Sequence, residues 1–207
     1  MTLIATAAHS TVEIDGQNSS EVWAGFRTGR RARVHDLVIR ESGDAVTVSC
    51  SHDGYRWLPG KPVHRRQWTL RAGSLQVDDF VRTDADCQPI AYYHVAPDID
   101  GAGHDGTPRS DGTLTTPAGA HIGWRSSLPM AVATRQHHAA FGLSRPAPTL
   151  WARFPGRALS IAWSWQDTGC QPARSASALG GEPRSDDGKA KAQETLARPH
   201  AHSLPYG

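Results

Sequence analysis

An all-β fold is what this sequence predicts, on three observations: short runs of alternating apolar and polar residues, turn residues between them, and a composition ill suited to long amphipathic helices. The 207 residues include 20 Gly, 14 Pro and only 2 Met, with 38% hydrophobic content, which favours many short strands joined by turns. The length allows one domain with a substantial core, or a domain plus a tail.

The strands follow in order. Residues 11–15 (Thr-Val-Glu-Ile-Asp) alternate up to Gly16. Residues 34–40 form the next candidate, and residues 45–50 place Val46, Val48 and Cys50 on one face, as a half-buried strand requires. Between them Glu41-Ser-Gly-Asp44 has the composition of a hairpin loop. Residues 67–70 and 74–80 repeat that arrangement around Arg71-Ala-Gly73, and residues 89–95 add a strand with two tyrosines, so the sheet is large. Residues 99–116, rich in Gly, Asp and Thr, read as a long surface loop or a weak hairpin. Leu159, Ile161, Trp163 and Trp165 share one face of a strand expected in the core.

From Asp167 to Gly207 there is no Val, Ile, Phe, Trp or Met. Such a stretch cannot bury enough surface to offset its ordering entropy, so residues 167–207 are expected to be a disordered tail behind a domain at 1–166, with at most a transient helix at 189–197. No repeat of solenoid or propeller period is present.

The formal charge of +2 lacks the footprint of a dedicated nucleic-acid binder. Basic residues nevertheless cluster locally, at Arg27, Arg30, Arg31 and Arg33 and again at Lys61, His64, Arg65 and Arg66. Cys50, Cys87 and Cys170 have no CxxC spacing, leaving either free thiols or one bridge and one leftover. No apolar run approaches the ~20 residues that cross a bilayer, and Met1 to Ala8 lacks the pattern of a secretory signal. Membrane insertion is not expected, nor export on a signal of the chain's own. His137-His138 would point to opposite faces of a strand and His200-Ala-His202 falls in the tail, so neither pair is taken as a metal site.

Four ordered segments carry a resemblance. The first runs from Ala8-His-Ser-Thr-Val-Glu-Ile-Asp-Gly16 to Trp23 and continues as Phe26-Arg-Thr-Gly-Arg-Arg-Ala32; the second is Asp53-Gly-Tyr-Arg-Trp-Leu-Pro-Gly-Lys-Pro-Val-His-Arg-Arg66. Tyr93-His-Val-Ala-Pro-Asp98 and His138-Ala-Ala-Phe-Gly-Leu143 follow. Over about residues 5–166 the chain resembles the C-terminal domain of heparinase II/III-like polysaccharide lyases, with Ser10 standing where that family usually has Asn.

The resemblance implies a large antiparallel β-sandwich, supersandwich-like, which in the family packs against an N-terminal helical toroid that this sequence does not contain. It implies lyase chemistry on uronate-containing polysaccharides: a base removes the C5 proton and a donor assists departure of the 4-linked oxygen. His9 then matches the family's β-domain histidine, a catalytic candidate. Tyr55 is either the acid/base tyrosine that some members supply or a turn tyrosine that caps a corner. Arg30, Arg31, Arg65 and Arg66 are candidate partners for uronate or sulfate groups. Trp57, in an expected loop, is a candidate sugar-stacking face, whereas Trp23 and Trp68 are expected to pack.

No cofactor is required, although some relatives hold a structural zinc through His and Asp. The corresponding set here is His9 and His64 with Asp36 or Glu21 as a third ligand, and His52 as a further candidate. The implied partners are an acidic polysaccharide and a separate helical toroid domain, and the implied location is the periplasm or cell envelope, in an exopolysaccharide setting. Two other readings stand beside the enzymatic one: a non-catalytic module that binds acidic glycans, and a truncated product of a longer lyase gene.

Overall fold

Among the described residues, ten strands pair antiparallel throughout into one sheet. The computed structural model describes residues 5–23, 27–101, 107–140 and 143–166. All fall in the first of the two units into which the chain divides, 1–170 and 171–207. The expected disordered tail at 167–207, with Cys170, His200 and His202, lies outside the described residues. After a 3-10 turn at Thr6–Ala8 come β1 (Val12–Ile14), β2 (Val34–Ser42), β3 (Ala45–His52), β4 (Val63–Arg71), β5 (Ser74–Arg82) and β6 (Pro89–His94). They are followed by β7 (Arg109–Thr115), β8 (His121–Ala140), β9 (Leu143–Arg153) and β10 (Ala158–Trp165). Their order in the sheet is β1-β6-β9-β8-β10-β5-β4-β3-β2, with β7 pairing β8 off this path.

Every strand expected from alternation is present, and the all-β sandwich is the observed fold. The expected hairpin turns close through Gly43 (φ 59°) and Gly73 (φ 70°), a conformation glycine enters without the Cβ penalty. The stretch expected as a loop or weak hairpin at 99–116 supplies β7, paired to β8.

β8 organises the sandwich. Over 20 residues its first part pairs β10 and β7 and its second part pairs β9, so one strand passes from the larger leaf (β2 to β5, β7, β10) into the smaller (β1, β6, β9). Pro129 stands between Ser126, the last residue paired to β10, and Ala131, the first paired to β9, where a missing ladder donor does least harm. Buried Val77, Val81, Leu159, Ile161 and Trp124 of the larger leaf meet Val12, Ile14, Ala91, Leu150 and Ala152 of the smaller in one core. Trp163 is half-buried at its margin.

The smaller leaf leaves part of the larger uncovered. On the outlying strands Val34 is 68% exposed, Leu37 62%, Ile39 60% and Leu70 47%, an apolar margin of the kind that marks a contact surface. β2 ends the sheet, and its pairing to β3 is irregular between His35 and Val38, a bulge that disfavours edge-to-edge addition.

Candidate functional site

His9 follows the 3-10 turn and is exposed at the rim of an open groove of about 520 Å³, lined also by Ser10, His94, Gln136, His137 and His138. Its imidazole makes no hydrogen bond to any described residue. His94, at the end of β6, is pinned on both ring nitrogens: Thr149 Oγ1 lies 2.9 Å from Nδ1 and the Ala7 carbonyl 3.2 Å from Nε2. The carbonyl can only accept, so Nε2 carries the proton and Thr149 donates to Nδ1. Burial lowers the pKa of His94, and the charges of Arg135, His9 and His137 lower it further, against an opposing hydrogen bond to Ala7. His137 and His138 both line the groove, at the point where the pairing of β8 becomes irregular between His137 and Ala140.

Beneath His9 lies a buried polar network. Asp79 is fully buried, and its carboxylate accepts four hydrogen bonds: His64 Nε2 (2.7 Å) and Arg66 Nε (2.7 Å) on Oδ1, Arg66 NH2 (2.8 Å) and the Tyr93 hydroxyl (2.6 Å) on Oδ2. Those four fill its acceptor sites. Arg66 NH1 donates to the Ser10 carbonyl, and Ser10 Oγ accepts from the His94 backbone N–H at 3.0 Å, so the segment bearing His9 is tied to the core from two sides. Burial opposes ionisation of Asp79, but the hydrogen bond from His64 and the charge and hydrogen bonds of Arg66 prevail and hold its carboxyl well below the usual range.

The network ends in a chain of ordered tautomers. The Gly54 N–H donates to His52 Nδ1 (3.3 Å), so the proton of neutral His52 sits on Nε2 and is donated to His64 Nδ1 (3.1 Å), leaving His64 Nε2–H for Asp79. Burial and the neighbouring His64 push the pKa of His52 down to about 4.

Tyr55 is not at a reactive surface. Its side chain is fully buried and its hydroxyl donates to the Val12 carbonyl at 2.7 Å, while burial raises its pKa far above the ordinary tyrosine value. The geometry assigns it to capping the corner where the turn after β3 meets β1, not to proton transfer. Tyr55→Phe is expected to cost about 1–2 kcal/mol, because a buried carbonyl loses its donor; a urea-unfolding comparison with the parent checks this, and no change in midpoint would contradict the assignment.

The basic candidates separate. Arg30, Arg31 and Trp57 come together around a second groove of about 760 Å³. Arg65 is exposed on β4, with one nitrogen 3.4 Å from Ser49 Oγ. Arg66 is committed to Asp79 and is a correction to the substrate-binding set, since at 7% exposure it cannot meet a glycan. The suggested zinc set is likewise divided. His9 is at the groove rim, both ring nitrogens of His64 are engaged in the buried chain, and exposed Asp36 accepts from His35 Nδ1 at 2.8 Å. Among the described residues no group of three or more His, Cys, Asp or Glu is arranged to hold a metal ion. Cys50 and Cys87 are free thiols.

The sequence pattern carries a signal for Asp79. It follows Leu75 and Val77 at the inward positions of β5, where a carboxylate in an apolar register implies a buried partner. His94 lies within one of the resembling segments, but nothing local marks it as sharing a groove with His9.

A family model described as Heparinase II/III-like, C-terminal, matches residues 3–189. Among solved structures, the heparan sulfate lyase HepC from Pedobacter heparinus superposes with a TM-score of 0.57 at 15% identity, covering 77% of this chain and 24% of that one. A heparinase III structure gives 0.55 at 14% identity with the same coverage, 77% and 24%. At such identity the likeness is one of fold, and this chain spans about a quarter of either structure's length. No curated protein matches.

Proposed function

Since this chain belongs to the heparinase II/III-like family as its C-terminal domain, we propose that it is the β-sandwich part of a polysaccharide lyase acting on uronate-containing glycans, and that His9 is the residue it presents to the reacting carbon. The observation that carries the reading is the free, exposed imidazole of His9 on a segment clamped through Ser10 to a buried ion pair. A base must sit close to a weakly acidic C–H, and an unengaged ring beside a backbone fixed at Ser10 meets that demand.

In β-elimination His9 takes the C5 proton, the C–H electron pair forms the C4–C5 double bond, and the C4–O bond breaks with its electrons leaving on the 4-oxygen, which must be protonated. Neutralisation of the uronate carboxylate and protonation of the leaving oxygen need further groups, which we assign to a helical domain packed against this one. The exposed Val34, Leu37, Ile39 and Leu70 supply apolar surface suited to such a neighbour.

The test is turnover of a panel of uronate polysaccharides, followed by the absorbance of the unsaturated product, with and without a helical domain expressed separately. Activity is expected when both parts are present, and His9→Ala is expected to lower it about 100-fold or more. Turnover unaffected by that substitution would exclude His9 as the base. Glycan binding without turnover in every combination would favour the binding-module reading.

A further inference from the structure

The groove around Trp57 is built from two pinned loops. The segment between β1 and β2 folds back on itself, with the Glu21 N–H donating to the Arg30 carbonyl at 2.7 Å and the Gly29 N–H to the Glu21 carbonyl at 2.9 Å. Side chains then fix its return: Ser20 Oγ accepts from the Ala32 N–H (3.0 Å) and Asp53 Oδ1 from the Arg33 N–H (2.7 Å). A Cβ at Gly54 would lie 2.5 Å from the Ser19 carbonyl oxygen, so glycine is what lets the loops close. The Trp57 ring is fixed by its Nε1–H bond to the Gly54 carbonyl (3.1 Å), is 44% exposed, and carries the Arg30 guanidinium 4.2 Å from its centroid.

Four exposed arginines, Arg30, Arg31, Arg33 and Arg56, line this groove against one carboxylate, Asp53, and none of the four is in an ion pair among the described residues. Like charges gathered on preorganised backbone repel one another until an anion separates them. Guanidinium forks match carboxylate and sulfate groups in pairs, and a fixed indole edge offers an apolar surface to a sugar ring. The groove shares no lining residue with the one around His9.

We propose that this groove is a second binding site for an acidic polysaccharide, one that grips the anionic chain away from the reacting unit. The assignment rests on the lyase reading for its choice of glycan over other polyanions. A formal charge of +2 on the whole chain agrees with a local grip and not with a nucleic-acid surface.

The experiment is calorimetric titration of the whole chain with a heparin hexasaccharide and with an unsulfated oligouronate, at low and moderate salt. The parent, Arg30→Ala/Arg31→Ala and, as a charge-matched control, Arg40→Ala/Arg71→Ala proteins are compared, with thermal melting as a check on folding; Arg40 and Arg71 are exposed and line neither groove. The Arg30→Ala/Arg31→Ala variant is expected to bind at least about tenfold more weakly with a shallower salt dependence, the loss of roughly one good charge-assisted contact, while the control stays within about twofold. Absence of parent binding, equal binding by the Arg30→Ala/Arg31→Ala variant, or an equal loss in the control would overturn the proposal. So would equally tight binding of a single-stranded oligonucleotide of matched charge. Unchanged binding in the Arg30→Ala/Arg31→Ala variant beside His9-dependent turnover sinks this site alone, whereas lost binding beside His9-independent turnover sinks the catalytic assignment alone.

Discussion

Asp79→Ala is expected to lower the unfolding free energy by about 3–5 kcal/mol, because it strands a buried guanidinium and strips a buried imidazole and phenol of their acceptor. Asp79 is fully buried, Arg66 is 7% exposed and His64 3%, so water cannot replace what the carboxylate provides. Chemical denaturation with an unchanged m-value measures the loss. A decrease below about 1 kcal/mol would show that the network contributes little. Replacing both partners with apolar residues, as in Asp79→Leu/Arg66→Met, is expected to recover part of the deficit, since removing a buried pair together leaves no orphaned charge. The double variant nevertheless loses the donor to the Ser10 carbonyl. It therefore separates stability from placement of His9: a protein that folds well yet fails with the helical domain would assign Arg66 a positioning role.

Acidification is expected to weaken the fold between about pH 6.5 and pH 4 by an amount on the order of 3 kcal/mol through His52 alone. Its pKa falls from 6.5 in the unfolded chain to about 4 in the folded one, chiefly by burial and then by His64. Between those values the unfolded chain binds the extra proton and the folded chain does not, so stability is complete above 6.5 and is lost as pH falls towards 4. Burial lowers His94 too and adds loss of the same sign. Below this window Asp79 takes over: its carboxyl, held down by His64 and Arg66 against the opposing effect of burial, contributes stability above the unfolded carboxylate pKa and loses it at lower pH. His52→Gln isolates the first effect, because a carboxamide can accept from the Gly54 N–H and donate to His64 without titrating. Its stability is expected to vary much less with pH between 6.5 and 4 than that of the parent. Parallel pH profiles for the two proteins would rule out His52 as the source.

The strands and turns were legible because their signals are local. Period-two alternation in 45–50 and 74–80, glycines at 43 and 73 and the ordered run of resembling segments act over a few residues and need no knowledge of the partner strand. Long β8 and neighbouring β9 were less legible. β8 changes neighbours partway along, around Pro129, and β9 carries Pro146 and Pro148 beyond its pairing to β6, so neither shows one clean period from end to end.

What belonged to the sequence unaided was therefore the all-β class, its main hairpins, the family likeness and the choice of His9, Arg30, Arg31 and Trp57 as residues to watch. Tertiary packing alone distinguished adjacent Arg65 and Arg66, one exposed and the other bound to Asp79, and it alone sent Tyr55 into the core and brought His94, His137 and His138 to the groove of His9. The reason is physical. Alternation tells which residues share a face, but whether that face is covered, and by whose carboxylate or carbonyl, depends on strands far apart in the chain meeting in one register.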